Sequence, residues 1–401
     1  MDIKKSIYIT SHSLRTDGVS RSLIGLLASI DYAKYNVDLF LILHEGALMN
    51  SVPAEVNLLP EIKKYRSILC PAKEVLKNGF VDAIFTKIKS KRQATRYVKQ
   101  NKISSQNMVY PVYLHKNMAE VLPEITNKHY DLAISFLNPH FITAKKIKAR
   151  KKLAWIHNDY SKFEFDKRTE IEMWNHYDHI VSISDDSSTA FINELPELRS
   201  KVVLIENILS PKTIHEEADK FSVDEEMPAE ANSYKILSVG RFVFQKNFEN
   251  IPAMADILRE KGIQFKWYLI GFGEVDLVKS EISKYKLNDK VIILGEKDNP
   301  YPYIKACDLY VQPSRFEGKS VSVREAQILA KPVVITAYPT AGSQVNDGAD
   351  GLIVPLENRP CAEGIATLLK DPAQMEHLKR NCKTLSFGNE NEIEKIYSFL
   401  K

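Results

Sequence analysis

Ser314-Arg315-Phe316-Glu317-Gly318-Lys319-Ser320-Val321-Ser322-Val323-Arg324-Glu325 follows the apolar run Leu309-Tyr310-Val311. It precedes the helix-like stretch Ala326-Gln327-Ile328-Leu329-Ala330. This order predicts a strand, a loop and a helix start. Glu317 falls at the strand end and Glu325 in the opening turns of the helix. Between them, Gly318 permits close backbone approach, and the amides of Ser320 to Ser322 are expected to point out of a helix N-terminus. Such a terminus attracts phosphate through its N–H groups and its dipole. Two carboxylates beside a phosphate cradle suit hydroxyls, those of a sugar or a ribose. An ordinary loop with two solvated Glu is the other reading these residues leave open. Gly318-Lys319-Ser320 looks like the end of a P-loop, but that motif needs Gly where Pro313 stands. A Walker-type NTPase is disfavoured on that ground.

Upstream, Gly240-Arg241-Phe242-Val243-Phe244-Gln245-Lys246-Asn247 lies between a strand, 234–239, and a helix, 248–261. Arg offers a planar fork and Lys a point charge, and both suit a diphosphate. Solvated cations near a helix start are the plainer reading. Strand 265–270 ends in Gly271-Phe272-Gly273, strand 291–294 in Gly295-Glu296-Lys297, and 333–336 reads as another strand. Gly271 and Gly273 are expected to let the backbone approach a nucleotide.

The first half of the chain has the same rhythm. Residues 5–11 predict a buried strand, followed by the loop 12–17, Gly18, an apolar helix over 23–30 and a strand over 35–43. Further strands are expected at 131–136, 152–156, 180–183 and 202–205, with Ser184 as a helix N-cap. His157 leaves the strand 152–156 at its C-terminal end, where α/β folds place ligands. A lone His there is either structural or functional. Residues 209–233, with Pro211, Pro228 and many Glu and Asp, predict a linker. Two α/β domains result, 1–208 and 234–385, with an amphipathic helix at 392–400.

Whole-chain properties narrow the function classes. A chain of 401 residues can build two full cores. The net charge of +4 does not announce a nucleic-acid binder. The four Cys show no Cys-x-x-Cys, which disfavours a zinc site or a disulfide framework. No Asp pair stands at i, i+2, so an Asp-x-Asp metal site is absent from the sequence. No apolar run is long enough to span a bilayer, and the start Met1-Asp2-Ile3-Lys4-Lys5 lacks a signal-type apolar core. A cytoplasmic location is expected. Residues 61–104 are rich in Lys and Arg, including Lys87, Lys89, Lys91, Arg92, Arg96 and Lys99, against only Glu61, Glu74 and Asp82. They predict basic, partly amphipathic helices. Such helices are either a solvated face or a surface for anionic lipid, which the basic run 145–152 would extend.

The Glu317-x7-Glu325 spacing and the run Glu-Gly-Lys-Ser-Val-Ser-Val-Arg-Glu-Ala-Gln-Ile-Leu-Ala-Lys-Pro-Val-Val resemble family 4 retaining glycosyltransferases, in their bacterial polysaccharide or capsule-type branch. The resemblance covers 235–356 most clearly. It implies the GT-B fold: two Rossmann-like α/β domains facing a central cleft, with 386–401 crossing back to the first. It implies that Arg241 and Lys246 bind a donor diphosphate and that Glu317 meets the donor sugar. Glu325 then meets the nucleotide ribose, His157 approaches the sugar, and Gly295-Glu296 lie against the nucleobase. Gly18, Gly240, Gly318, Lys319, Ser320 and Val321 complete the implied donor site. The usual double Gly near position 18 is reduced here to Asp17-Gly18. The implied activity is metal- and cofactor-independent, retaining transfer of a hexose-type sugar from a nucleotide-diphosphate sugar to a lipid-linked or growing saccharide. The implied setting is the inner face of the cytoplasmic membrane, with no nucleic acid as partner. A hexosyltransferase with a soluble acceptor and a non-catalytic nucleotide-sugar-binding protein are the alternatives.

Overall fold

Strands buried on both faces need apolar residues at every position, and parallel strands need long crossovers; both conditions hold twice in this chain. The computed structural model describes residues 4–15, 17–104 and 107–401. Residues 1–3, Thr16 in the loop 12–17, and 105–106 lie outside the described residues.

One sheet comprises β1 (Lys5–Ser11), β2 (Tyr35–Leu41), β3 (Asn57–Leu58), β4 (His129–Ser135), β5 (Lys148–Ile156), β6 (His179–Ser182) and β7 (Val202–Leu204). Its order is β3-β2-β1-β4-β5-β6-β7, and every pairing is parallel. The other comprises β8 (Tyr234–Val239), β9 (Phe265–Ile270), β10 (Val291–Gly295), β11 (Leu309–Gln312), β12 (Val333–Thr336) and β13 (Leu352–Val354). Its order is β10-β9-β8-β11-β12-β13, again all parallel. In each sheet the order reverses beside the first strand, between β1 and β4 and between β8 and β11. That is where open α/β sheets hold ligands, at the strand C-terminal ends.

The second sheet shows why its strands are apolar throughout. Ile236, Trp267, Leu269, Leu309 and Val334 point into one hydrophobic cluster. Their chain neighbours Leu237, Tyr268, Ile270, Tyr310 and Val333 point into another. Period-two alternation sends each strand into two cores, each covered by helices.

The described residues form two compact units: one of residues up to Arg15, Val19–Asn207 and Asn391–Lys401, the other of Ile208–Glu390 with Gly18. Residues 209–233 are therefore not a linker. Ser210 caps the helix Pro211–Ala218, accepting from the amide of Thr213. Leu209, Ile214, Ala218, Val223 and Met227 are buried in the same cluster as Leu237 and Tyr268. The acidic residues that suggested a linker lie outside and pair with lysines of the same unit: Asp219 with Lys305, Glu226 with Lys297, Glu230 with Lys266. Exposed ion pairs contribute about 0–1 kcal/mol each, whereas one buried aliphatic side chain contributes roughly 1.5–3. The few apolar residues outweighed the many acids.

Two other expectations change. The basic run 145–152 does not extend a basic helical surface. It is divided between the end of the helix His140–Lys146 and the start of β5. There Lys145 pairs with Glu120 and Lys146 with Glu124. The terminal helix Ile393–Ser398 belongs with the first unit, while 386–390 stay with the second. Tyr397 stacks on Tyr35 at 4.4 Å between ring centres and accepts from the amide of Asp31 at 2.7 Å. The short edge strands β3 and β13 carry too few residues to show a period in sequence.

No helix among the described residues is long and apolar enough to cross a membrane. Cys307, Cys361 and Cys382 are buried, and burial pushes each thiol up to about 12. Such thiols are packing residues rather than nucleophiles.

Candidate functional site

The second unit's switch point lies between β8 and β11, and two loops leave it side by side. The first starts at Gly240 and leads to the helix Ile251–Glu260. Its start is locked to the β9 exit. The amide of Gly240 donates to Ile270 O at 3.0 Å, that of Phe242 to Phe272 O at 2.7 Å, and that of Glu274 to Phe242 O at 2.7 Å. Gly271 and Gly273 are required by this lock. They have φ of 145° and 129°, and a Cβ would stand 1.8 Å from Gly240 O and 2.5 Å from Phe242 O. They let two stretches of main chain touch.

The second loop, 313–320, joins β11 to the helix Val321–Ile328. Arg315 ties it to the first. Its amide donates to Gln245 O at 2.8 Å, its guanidinium pairs with Glu249 at 2.6 Å, and it stacks on Phe244 at 4.0 Å. Asn247 turns the first loop back through a left-handed conformation (φ 62°), its side chain held by Asn250 at 2.6 Å.

This bracing brings Lys246 and Glu317 together. Lys246 Nζ stands 2.5 Å from Glu317 Oε1, with the side chains 16% and 6% exposed. Ser314 Oγ donates to the same oxygen at 2.6 Å, and Gln245 Nε2 lies 3.4 Å from Oε2. Thr340 Oγ1 donates to the main-chain oxygen of Glu317 at 2.8 Å. Removing two charges from water costs several kcal/mol per ion, so such a pair is a poor source of stability. It is a good way to keep a cation and an anion ready at a sheet edge. Gly240 lies beside it: a Cβ there would be 3.6 Å from Lys246 Cδ. Arg241 is exposed, and its guanidinium makes no hydrogen bond or ion pair among the described residues.

Glu325 lies in the helix Val321–Ile328 and is fully buried; Tyr301 OH donates to its Oε1 at 2.8 Å. The phosphate cradle expected at this helix start is smaller than the sequence implied. The amide of Ser320 is already given to Gln344 Oε1 at 3.0 Å, and Gln344 Nε2 donates back to Ser320 O at 2.5 Å. The amides of Val321 and Ser322 follow it in the first turn. Gly318 and Lys319 are half-buried in the loop. Gly295 ends β10 with φ of 75°, its carbonyl accepting from the amide of Gly271 at 2.9 Å, and Glu296 is exposed beyond it.

His157 and Gly18 lie on loops and helix starts that follow strands of the first sheet. His157 follows β5, half-buried, with its ring 4.8 Å from that of Phe136. Nearby His140 is pushed down to about 3, by burial first and then by the charge of His157. Ser135 Oγ lies 2.8 Å from its Nδ1. Gly18 opens the helix Gly18–Ala28 and is exposed. A Cβ there meets nothing within 4 Å, so no steric reason demands glycine.

Sequence reading missed Gln245, Tyr301, Gln312 and Gln344, and gave Ser314 no role. Gln312 had a usable signal: an amide side chain inside an apolar strand is costly unless bonded.

Residues 219–385 match the family described as Glycosyl transferases group 1. The chain is 31% identical over 153 residues to the N-acetylgalactosamine-N,N'-diacetylbacillosaminyl-diphospho-undecaprenol 4-alpha-N-acetylgalactosaminyltransferase of Campylobacter jejuni, covering 37% of this chain and 41% of that one. It is 30% identical over 165 residues to the poly(glycerol-phosphate) alpha-glucosyltransferase of Bacillus subtilis, covering 40% of this chain and 24% of that one. The chain thus spans less than half the length of either relative. Anabaena HepE, solved in complex with UDP and glucose, superposes with a TM-score of 0.68 over 99% of both chains at 18% identity. TarM of S. aureus superposes with a TM-score of 0.66, over 99% of this chain and 100% of its own, at 15% identity. The chain therefore has the GT-B fold, built from two Rossmann-like units, and its segment 219–385 is similar to the Glycosyl transferases group 1 family.

Proposed function

We propose that the chain is a retaining, metal-independent glycosyltransferase. It moves a hexose-type sugar from a nucleotide-diphosphate sugar to a lipid-linked or growing saccharide in cell-surface polysaccharide or capsule synthesis. The observation that carries the reading is the desolvated Lys246–Glu317 pair at the β8/β11 switch point. The family match over 219–385 and the lipid-linked acceptor in the name of the Campylobacter relative support it. In this reading Lys246 and Arg241 hold the diphosphate and stabilise the charge that develops as it leaves. Glu317 meets the sugar and Glu325 the ribose. Gly240, Gly318, Lys319, Ser320 and Val321 line the phosphates, and Gly295 and Glu296 the base. His157 and Gly18 are further proposed substrate contacts. Transfer from UDP-glucose and related donors, in EDTA, tests this: activity that survives the chelator is expected. Loss that magnesium or manganese restores would overturn metal independence. Absence of transfer and of donor hydrolysis with every nucleotide sugar would favour a binding protein.

A second observation bears on where the reaction occurs. The helix Val81–Asn101 buries Ala83, Thr86, Ser90 and Ala94. Its opposite face carries Val81, Phe85 and Ile88, 50%, 67% and 43% exposed, followed by exposed Arg92, Arg96 and Lys99. Apolar side chains in line with cations suit a surface that lies on anionic lipid. We propose peripheral attachment here, on the cytoplasmic face. Lys87 is no part of it, since its ammonium donates to Cys70 O at 2.9 Å. Binding to phosphatidylserine vesicles should weaken with salt. It should fall roughly tenfold in Phe85→Ala and by about 1 kcal/mol for each charge removed at Lys91 and Arg92. Binding indifferent to lipid charge would leave a solvated face.

A further inference from the structure

Tyr310, Gln312 and Ser314 occur at alternate positions along β11 and its exit, and all are fully buried. Each passes a hydrogen bond onward. Tyr310 OH donates to Gln312 Oε1 at 2.9 Å, Gln312 Nε2 to Ser314 Oγ at 2.9 Å, and Ser314 Oγ to Glu317 Oε1 at 2.6 Å. The directions are set by chemistry. The Glu317 carboxylate can only accept, so Ser314 donates to it and must itself accept from the amide nitrogen of Gln312, which leaves the amide oxygen for the hydroxyls of Tyr310 and Ser322, the latter at 3.3 Å. A serine hydroxyl has one proton. Once Ser314 accepts from the amide, that proton is left for the carboxylate.

Glu317 Oε1 thus has two donors of different kinds. Ser314 is locked in the core, while Lys246 ends a flexible stem on a loop. A diphosphate would compete for Lys246, since one ammonium cannot serve phosphate and carboxylate equally. We propose that Tyr310, Gln312 and Ser314 are positioning residues. They hold Oε1 of Glu317 while Lys246 turns to the diphosphate, and so present Oε2 to the donor sugar. This rests on Glu317 being the sugar-contacting carboxylate.

The test is a double-mutant cycle between Ser314→Ala and Glu317→Gln, read in transfer from UDP-glucose or the best donor found, beside UDP affinity and thermal unfolding. Ser314→Ala should lower kcat roughly tenfold or more, the scale of one hydrogen bond to a charged group, with UDP affinity unchanged. In the Glu317→Gln background it should cost nothing further, because it acts only through that carboxylate. Ser314→Cys, a weaker donor of similar size, should fall between. Gln312→Met keeps volume and removes the amide, and it should repeat the pattern more weakly, which covers a Ser314→Ala chain that fails to fold. A full additional loss in the Glu317→Gln background would show an independent structural role and overturn the proposal. Parental turnover in Ser314→Ala beside a disabled Glu317→Gln would overturn it and leave the glycosyltransferase reading intact. Parental turnover in Glu317→Gln would overturn the proposal together with the assignment of Glu317 to the donor sugar, on which it rests.

Discussion

Glu317→Gln should transfer sugar at least roughly 100-fold more slowly than the parent, on the scale of removing one charge-stabilising group. The amide keeps the shape of the carboxylate and removes its charge. Charge develops on the sugar as the glycosidic bond breaks, so the loss belongs to the transition state and falls on kcat. The structure adds a second expectation. Lys246 loses the carboxylate now 2.5 Å from its ammonium. Released from that pair, it is no less able to bind a diphosphate. Nucleoside diphosphate affinity in Glu317→Gln should therefore be equal to the parent's or tighter. Turnover kinetics beside calorimetry separate the two quantities. A parental rate would show that Glu317 is not the sugar-contacting group.

Glu325→Ala should act on the other quantity. A carboxylate that holds ribose does so in the ground state and the transition state alike, so its loss weakens nucleoside diphosphate binding by about 1–3 kcal/mol. Turnover at saturating donor should change little. Because Glu325 is fully buried, with Tyr301 OH bonded to it at 2.8 Å, the Ala variant also strands a buried hydroxyl. That costs stability by a further amount, roughly 1–3 kcal/mol. Glu325→Gln keeps an oxygen for Tyr301 and separates the two effects. It should unfold near the parental temperature yet still bind the diphosphate more weakly than the parent. Parental affinity in both variants would mean that Glu325 only supports Tyr301.

The two variants probe neighbouring carboxylates in one loop–helix segment, and the structure explains why their effects should differ. Glu317 sits among donors at the sheet edge: Lys246, Ser314 and Gln245. Glu325 sits beneath the surface against a tyrosine. The first has a partner that a ligand would draw away, and the second is held from below.

The sequence by itself determined the layering. Strands such as 234–239 and 265–270 are apolar at consecutive positions because both faces are buried, and their limits agree with β8 and β9. It also marked the polar residues at the sheet edge, because Gly240, Arg241, Lys246, Glu317 and Glu325 stand where strands give way to loops or helices. Local pattern could carry these because strand period and loop composition are properties of adjacent residues. Tertiary structure decided what depends on residues far apart. It placed Lys246 against Glu317, seventy-one positions away, and bound the loops through Arg315. It turned 209–233 from an acidic linker into part of a core, because burial of Ile214 and Met227 is decided by what lies opposite them. It showed that Gly271 and Gly273 are required by a main-chain lock, since only the fold shows which oxygen stands in the place of a Cβ. It also made Gln312 and Ser314 donors toward Glu317, because the direction of a hydrogen bond is fixed by all the partners at once.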